Sequence, residues 1–282
     1  MVPAWFSTAM QQRPRIRTLE VAGANIVLRI WGRPGDPGLV LVHGGMAHAG
    51  WWDHIGPHLA TGRHVVALDL SGHGSSDHRD SYGPEIWGAE VAAAAELAGA
   101  GRPAAVVGHS MGGRISLVAA AQHRGSISAL AMIDSPMLDL DFDPDLISRR
   151  RTTPKRVYPT LREAMDRFVT LPAQDQVLPY VRAHVAELSL TRVEGGWSWN
   201  FDPSAFGSVA ALTPYVTPLA CPVALFRCEH GIVPPEVATD LVALAGEQAH
   251  VIELPEMGHH PMLDRPLALI ASLRTLLAAW GR

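Results

Sequence analysis

A serine hydroxyl is a weak nucleophile until a neighbouring base takes its proton, so a catalytic serine implies a histidine and an orienting carboxylate elsewhere in the chain. Gly108-His109-Ser110-Met111-Gly112 has the Gly-x-Ser-x-Gly spacing of a nucleophile elbow, whose glycines let a strand turn sharply into a helix and hold the serine strained and exposed. Such spacing also arises by accident, and its context decides. Here Ala104-Ala105-Val106-Val107 is a short buried-strand pattern, and Ile115 to Ala121 continues as helix. His259, in Met257-Gly258-His259-His260-Pro261, follows the last predicted strand and precedes the last helix, giving the chain order serine, acid, histidine. His260 is the alternative base, and its bland reading is a packing contact.

These residues need a scaffold that brings distant segments together. Short β-branched or leucine-rich runs alternate with helical stretches, the pattern of a mostly parallel sheet covered on both faces. Eight strands are expected: Arg15–Val21, Asn25–Trp31, Gly38–Val42, His64–Asp69, Ala104–Gly108, Ala129–Asp134, Pro222–Cys228 and His250–Leu254. The first two read as an antiparallel hairpin. Helices are expected over Pro84–Gly99, Ser110–His123, Pro235–Ala245 and Pro266–Trp280, the last two opening with proline at a favoured first-turn position. Between the sixth and seventh strands the chain runs from Ser135 to Ala220, too long for an ordinary connection. Leu161–Leu171 and Gln176–Leu190 look helical within it, which predicts a small helical cap inserted in the main domain.

Composition narrows the function. Of 282 residues 48% are hydrophobic and 18% charged, enough apolar material for a sizeable core. Lys plus Arg is 23 against 27 for Asp plus Glu, a net charge of −4 that lacks the basic footprint of a nucleic-acid binder. No apolar run reaches the length of a membrane span, and no secretory signal is readable over Met1 to Glu20, so a cytoplasmic protein is expected. Cys221 and Cys228 flank a predicted strand whose seven residues extend about 23 Å at ~3.3 Å each, beyond disulfide reach, so buried thiols are expected.

Other clusters carry weaker signals. His54 and His58 are spaced for one helix face with His48 nearby, but no clear third ligand or metalloprotease glutamate accompanies them, so no metal is expected. Gly72-x-Gly74 lacks the third glycine of a dinucleotide fingerprint, and no organic cofactor is implied. Arg149, Arg150, Arg151, Lys155 and Arg156 form a basic run that is either a solvated face or a guide for anionic substrates. Trp197, Trp199 and Phe201 alternate with polar residues, as one face of an extended segment closing over an apolar pocket, or packing the cap onto its domain. Met46, Trp51, Trp197 and Trp199 are the expected pocket residues, with Trp52 anchoring the following helix.

Along nearly its whole length the chain resembles the α/β-hydrolases. Four motifs carry the resemblance: His43-Gly44-Gly45, Asp69-Leu70-Ser71-Gly72-His73-Gly74-Ser75-Ser76-Asp77, the elbow at Ser110, and Gly258-His259 with Asp264-Arg265-Pro266 behind it. It implies a doubly wound, mostly parallel eight-stranded α/β sheet, with core residues 1–136 and 216–282 and a cap over 137–215. In the commonest family pattern an aspartate follows the seventh strand. Here that loop, Arg227-Cys228-Glu229-His230-Gly231-Ile232-Val233-Pro234, contains none. A branch of small acyl-ester hydrolases places its acid after strand six, in a run similar to Ile133-Asp134-Ser135-Pro136. That implies Asp134 as the acid of a triad with Ser110 and His259, and Glu229 as the alternative. The resemblance also implies an oxyanion hole from the backbone N–H groups of Met111 and Gly45, with Met46 as the alternative second donor, while His43 braces the loop and His109 packs beneath the elbow.

The expected function is a serine hydrolase that cleaves small to medium carboxylic esters through an acyl-serine intermediate, with a small-molecule ester as its partner. The same fold also hosts cofactor-independent oxygenases and lyases that use a His–Asp dyad, and ligand receptors on a retained scaffold. These are the competing readings.

Overall fold

The computed structural model describes residues 2–137, 139–140, 143–209, 211–215, 219–236, 241 and 249–281. Its centre is an eight-stranded sheet in the order β1 (Arg15–Val21), β2 (Ala24–Trp31), β4 (His64–Leu68), β3 (Gly38–Val42), β5 (Ala104–His109), β6 (Ile127–Ile133), β9 (Val223–His230) and β10 (Ala249–Gly258). β1 and β2 form an antiparallel hairpin, β2 meets β4 antiparallel, and every later pairing is parallel.

Parity along the buried strands builds two cores. In β3 and β5, Val40, Val42, Ala104 and Val106 face one side, where they meet Trp87 and Val91 of α3 (Pro84–Gly99) and Ile115 and Val118 of α4 (Met111–Gln122). Leu39, Leu41, Ala105 and Val107 face the other, in one cluster with Leu59 of the short α2 (Gly56–Leu59) and Leu269, Leu273 and Leu277 of the C-terminal helix Pro266–Ala279. These strands are buried on both faces, which is why they read as continuous apolar runs.

Register puts the chemistry at one edge. Val42 pairs with Gly108, His109 with Ile133, and Ile133 with Phe226, so β3, β5 and β6 end nearly level, while β9 runs on past Phe226 to His230. The segments after the first three, His43-Gly44-Gly45, Ser110 and Asp134, therefore emerge side by side, at the carboxyl edge where open α/β sheets bind ligands, and the loop after the longer β9 brings Ile232 N–H to Asp134.

The segment between β6 and β9 holds α5 (Pro144–Thr152), α6 (Leu161–Asp166), α7 (Pro179–Leu188) and an antiparallel hairpin of β7 (Leu190–Val193) and β8 (Gly196–Trp199). α6 and α7 are shorter than the expected helices, α5 was not expected, and the hairpin follows the second expected helix as an addition to a segment read as helical. Gly195 and Gly196 turn it at φ 81° and 149°. An unexpected N-terminal helix α1 (Ala4–Gln11) packs Phe6 against Tyr180 of α7, ring centroids 4.9 Å apart. The helix expected over 235–245 falls outside the described residues, apart from Pro235, Glu236 and Leu241. Both cysteines are buried. Among the described residues no helix is long and apolar enough to cross a membrane.

Candidate active site

Ser110 joins β5 to α4 with φ 53° and ψ −120°, a strained conformation for a residue with a side chain. The flanking glycines explain how the turn closes. A Cβ on Gly108 would lie 2.5 Å from the Gly112 carbonyl oxygen, and one on Gly112 would overlap the His43 carbonyl. Asp134 and Met46 also have left-handed backbones, at φ 44° and 57°. Each such residue costs about 1–3 kcal/mol, and their concentration at one sheet edge is characteristic of a functional site.

His259 links the elbow to the acid. Its Nδ1 lies 2.6 Å from Asp134 Oδ2, and its Nε2 lies 3.0 Å from Ser110 Oγ. With Nδ1–H donated to the carboxylate, Nε2 is left to accept the serine proton. Asp134 is fully buried, and its charge is met by hydrogen bonds rather than water. Ile232 N–H donates to Oδ2 at 2.8 Å and Cys228 N–H to Oδ1 at 3.3 Å. The loop after β9, which lacks an aspartate, thus supplies a backbone donor to the aspartate after β6. Glu229 is turned elsewhere: it is exposed and accepts the Glu256 N–H at 2.8 Å, because successive strand residues point to opposite faces.

Two other histidines crowd His259. Its ring centroid is 4.8 Å from that of His109 and 4.6 Å from that of His260, and one nitrogen from each of the three rings lies within 4.8 Å of the others, the metal-capable group among the described residues. Burial and the neighbouring imidazoles hold His260 down at about 3 and His109 well below the ordinary histidine value. Both are therefore neutral, and a proton arriving on His259 meets no standing positive charge beside it. His109 Nε2–H donates to the His259 carbonyl at 2.8 Å and fixes the loop that carries His259. His43 donates Nδ1–H to Gly44 O at 2.7 Å and accepts the Leu70 N–H on Nε2 at 3.0 Å, bracing the loop after β3. Asp69 likewise accepts Ala49 N–H at 2.6 Å and Ser75 N–H at 2.9 Å.

The family model described as the Alpha/beta hydrolase family matches residues 39–273. The chain belongs to this family. Among curated relatives of this α/β-hydrolase, the esterase Rv0045c of Mycobacterium tuberculosis is 30% identical over 268 residues, covering 91% of this chain and 87% of the esterase. The pimeloyl-[acyl-carrier protein] methyl ester esterase of Chromobacterium violaceum is 26% identical over 243 residues, covering 84% and 92% of the two chains. Among solved structures, the thioesterase domain from the curacin biosynthetic pathway shares the fold, with a TM-score of 0.77 and 23% identity over 93% of this chain and 99% of that one.

In this α/β-hydrolase, Ser110 and His259 open into a cavity of about 790 Å³ whose lining includes Gly45, Met46, Met111 and Trp199. Trp51 and Trp197 do not line it. Trp51 is turned into the core between Phe168 and His260, at ring-centroid distances of 6.3 and 5.4 Å. Trp197 shares a face with Trp199 but sits two strand residues farther along, about 7 Å away, beneath the Arg192 guanidinium. Trp52 is buried as an anchor. His48, His54 and His58 do not converge: His48 Nε2 meets Ser189 Oγ at 3.0 Å, while His54 Nε2–H donates to Met262 O at 2.8 Å.

Sequence reasoning missed Arg114, Leu146, Phe206 and Ile232 in the cavity wall. Arg114 is buried and ties Pro136, at the start of the inserted segment, to Val209 in its later part, donating to Pro136 O at 2.7 Å and Val209 O at 2.8 Å. Its place one helical turn past the elbow was the available signal.

Proposed function

We propose that this chain is a serine hydrolase of small to medium carboxylic esters. The observation that carries the reading is the hydrogen-bonded line Ser110–His259–Asp134 at the floor of a largely apolar cavity. Ser110 Oγ attacks the ester carbonyl as its proton passes to His259 Nε2. The imidazolium, steadied by Asp134, then protonates the leaving alcohol, and His259 next activates the water that releases the acyl group. The backbone N–H of Met111, at the first turn of α4, and that of Gly45 or Met46 receive the oxyanion. Residues 137–215 act as a cap over the cavity between core segments 1–136 and 216–282, and Trp199 contributes apolar wall for the acyl chain.

The names of the two curated relatives support ester cleavage. An oxygenase or lyase built on His259 and Asp134 alone leaves the strain at Ser110 without a use. The test is a panel of aliphatic esters with wild-type protein and Ser110→Ala. Turnover that the substitution abolishes supports the reading. Turnover that survives it, or oxygen consumption with a heteroaromatic substrate and no acyl-enzyme, overturns it.

A further inference from the structure

The basic run of the inserted segment divides once it folds. Arg151 turns its guanidinium onto the Phe206 carbonyl and the Ser208 hydroxyl, at 2.7 and 3.1 Å. Arg149, Arg150, Lys155 and Arg156 instead line the cavity that holds Ser110 and His259. The three arginines are exposed at its edge and Lys155 is half-buried, its Nζ donating to Phe201 O at 2.9 Å. Arg150 and Arg156 rest over aromatic rings, 6.0 Å from the centroid of Phe206 and 5.3 Å from that of Tyr158.

The cavity's negative charge is small and already engaged. Among the described lining residues the one carboxylate near these cations is Asp202, which accepts Tyr82 Oη–H at 2.7 Å and Ser204 N–H at 2.9 Å and lies 3.4 Å from His78. Arg149 reaches Asp143 only at 3.8 Å, and among the described residues no ion pair engages Arg150 or Arg156. A chain of net charge −4 therefore concentrates positive charge at the edge of its own cavity. A guanidinium lying on a ring keeps its planar N–H edge for a ligand and loses part of its hydration, conditions that favour carboxylate or phosphate oxygens.

We propose that the ester cleaved here carries an anionic oxygen group, carboxylate or phosphate, which the Arg149–Arg156 edge receives while the carbonyl lies at Ser110. The inference rests on the ester-hydrolase reading and names its substrate class. The apolar wall between the two ends, with Leu146, Phe206 and Trp199, fits a hydrocarbon spacer. Because the arginines are exposed, they act mainly on capture, and added salt screens them over a distance of about 10 Å at 0.1 M.

Two pairs of esters test it and separate the two anion sources: mono-p-nitrophenyl adipate against p-nitrophenyl heptanoate, and 2-phosphoethyl hexanoate against ethyl hexanoate. In at least one pair the anionic ester should have the higher kcat/KM by about tenfold to a hundredfold, the range one hydrogen bond to a charged group commands, carried by KM. That ratio should fall toward one in the Arg150→Glu/Arg156→Glu variant and in about 0.5 M NaCl. A ratio near one in both pairs, or a ratio the variant leaves unchanged, overturns the inference while leaving ester hydrolysis standing. Calorimetric titration of the Ser110→Ala protein with adipate and hexyl phosphate gives a readout independent of turnover. Binding that weakens when Arg150 and Arg156 are also reversed supports the anion site even if none of these esters is cleaved. Binding of neither anion, or binding indifferent to the reversal, overturns it.

Discussion

Replacing Asp134 by Asn removes one charge and little volume, and the hydrogen bonds around it determine the cost. Three N–H groups converge on the carboxylate, those of His259 Nδ1 and Ile232 on Oδ2 and that of Cys228 on Oδ1. An amide satisfies them best with its oxygen at the Oδ2 position, because the donor–donor conflict then falls on the longest contact, 3.3 Å to Cys228 N. In that orientation His259 keeps its tautomer but loses the anion that stabilises its protonated form. For charge centres about 4 Å apart at an effective dielectric of about 20, that anion is worth about 4 kcal/mol. At about 1.36 kcal/mol per decade, kcat falls about 1,000-fold. The flipped amide also imposes the wrong tautomer and takes the loss to about 10,000-fold. Stopped-flow and steady-state hydrolysis of a p-nitrophenyl ester measure it, with circular dichroism to verify folding. Glu229→Gln is the control, because its carboxylate bonds Glu256 N–H on the surface, and it should change kcat less than about twofold. A loss under tenfold in Asp134→Asn, or a large loss in Glu229→Gln, refutes the reasoning.

Stability should fall steeply in mild acid. Burial holds His48 and His260 down at about 3, His54 and His73 at about 4, and His43 and His109 well below the ordinary value. Below about pH 6.5 the unfolded chain binds protons that these six refuse, so each removes up to about 1.4 kcal/mol of stability per pH unit as the pH falls. Asp69, Glu90 and Asp264, raised by burial, act with the opposite sign and offset only part of the loss. Urea midpoints should drop between pH 7.5 and 5.5, and an unchanged midpoint contradicts the buried-neutral assignment. For the cavity wall, Trp199→Ala should raise KM for the longer acyl esters about tenfold, from lost aromatic burial, whereas Trp197→Ala should leave it within about twofold. Equal effects of the two substitutions place the acyl chain elsewhere.

The parts of the molecule that were legible in the sequence are those where local pattern and tertiary role agree. β3 and α3 have the expected bounds, since a doubly buried strand must be apolar throughout and α3 opens on Pro84. β10 runs on to Gly258 because pairing of Gly258 with His230 extends it past Pro255, a tertiary effect without a local signal. α5 buries no side chain and so has no apolar stripe to read, although Asp143 as its N-cap and Pro144 in its first turn mark its start. The β7–β8 hairpin was half legible: the alternation of Trp197, Trp199 and Phe201 gives an extended face, but not its partner strand. The Ser110, His259 and Asp134 positions were readable because each ends a strand of one parallel sheet, and parallel register brings such ends together. The cavity wall was legible only in part: Met46 and Trp199 follow from the sequence, whereas Phe206 and Ile232, far apart in the chain and without a local signal, reach the cavity only through tertiary packing.

The most direct test of the central claim is intact-mass analysis after exposure to a fluorophosphonate, with Ser110→Ala in parallel. An activated serine reacts quickly and stoichiometrically, so the wild-type protein should gain one adduct and the variant none. No adduct on the folded wild-type protein, or the same adduct on Ser110→Ala, contradicts a nucleophilic Ser110.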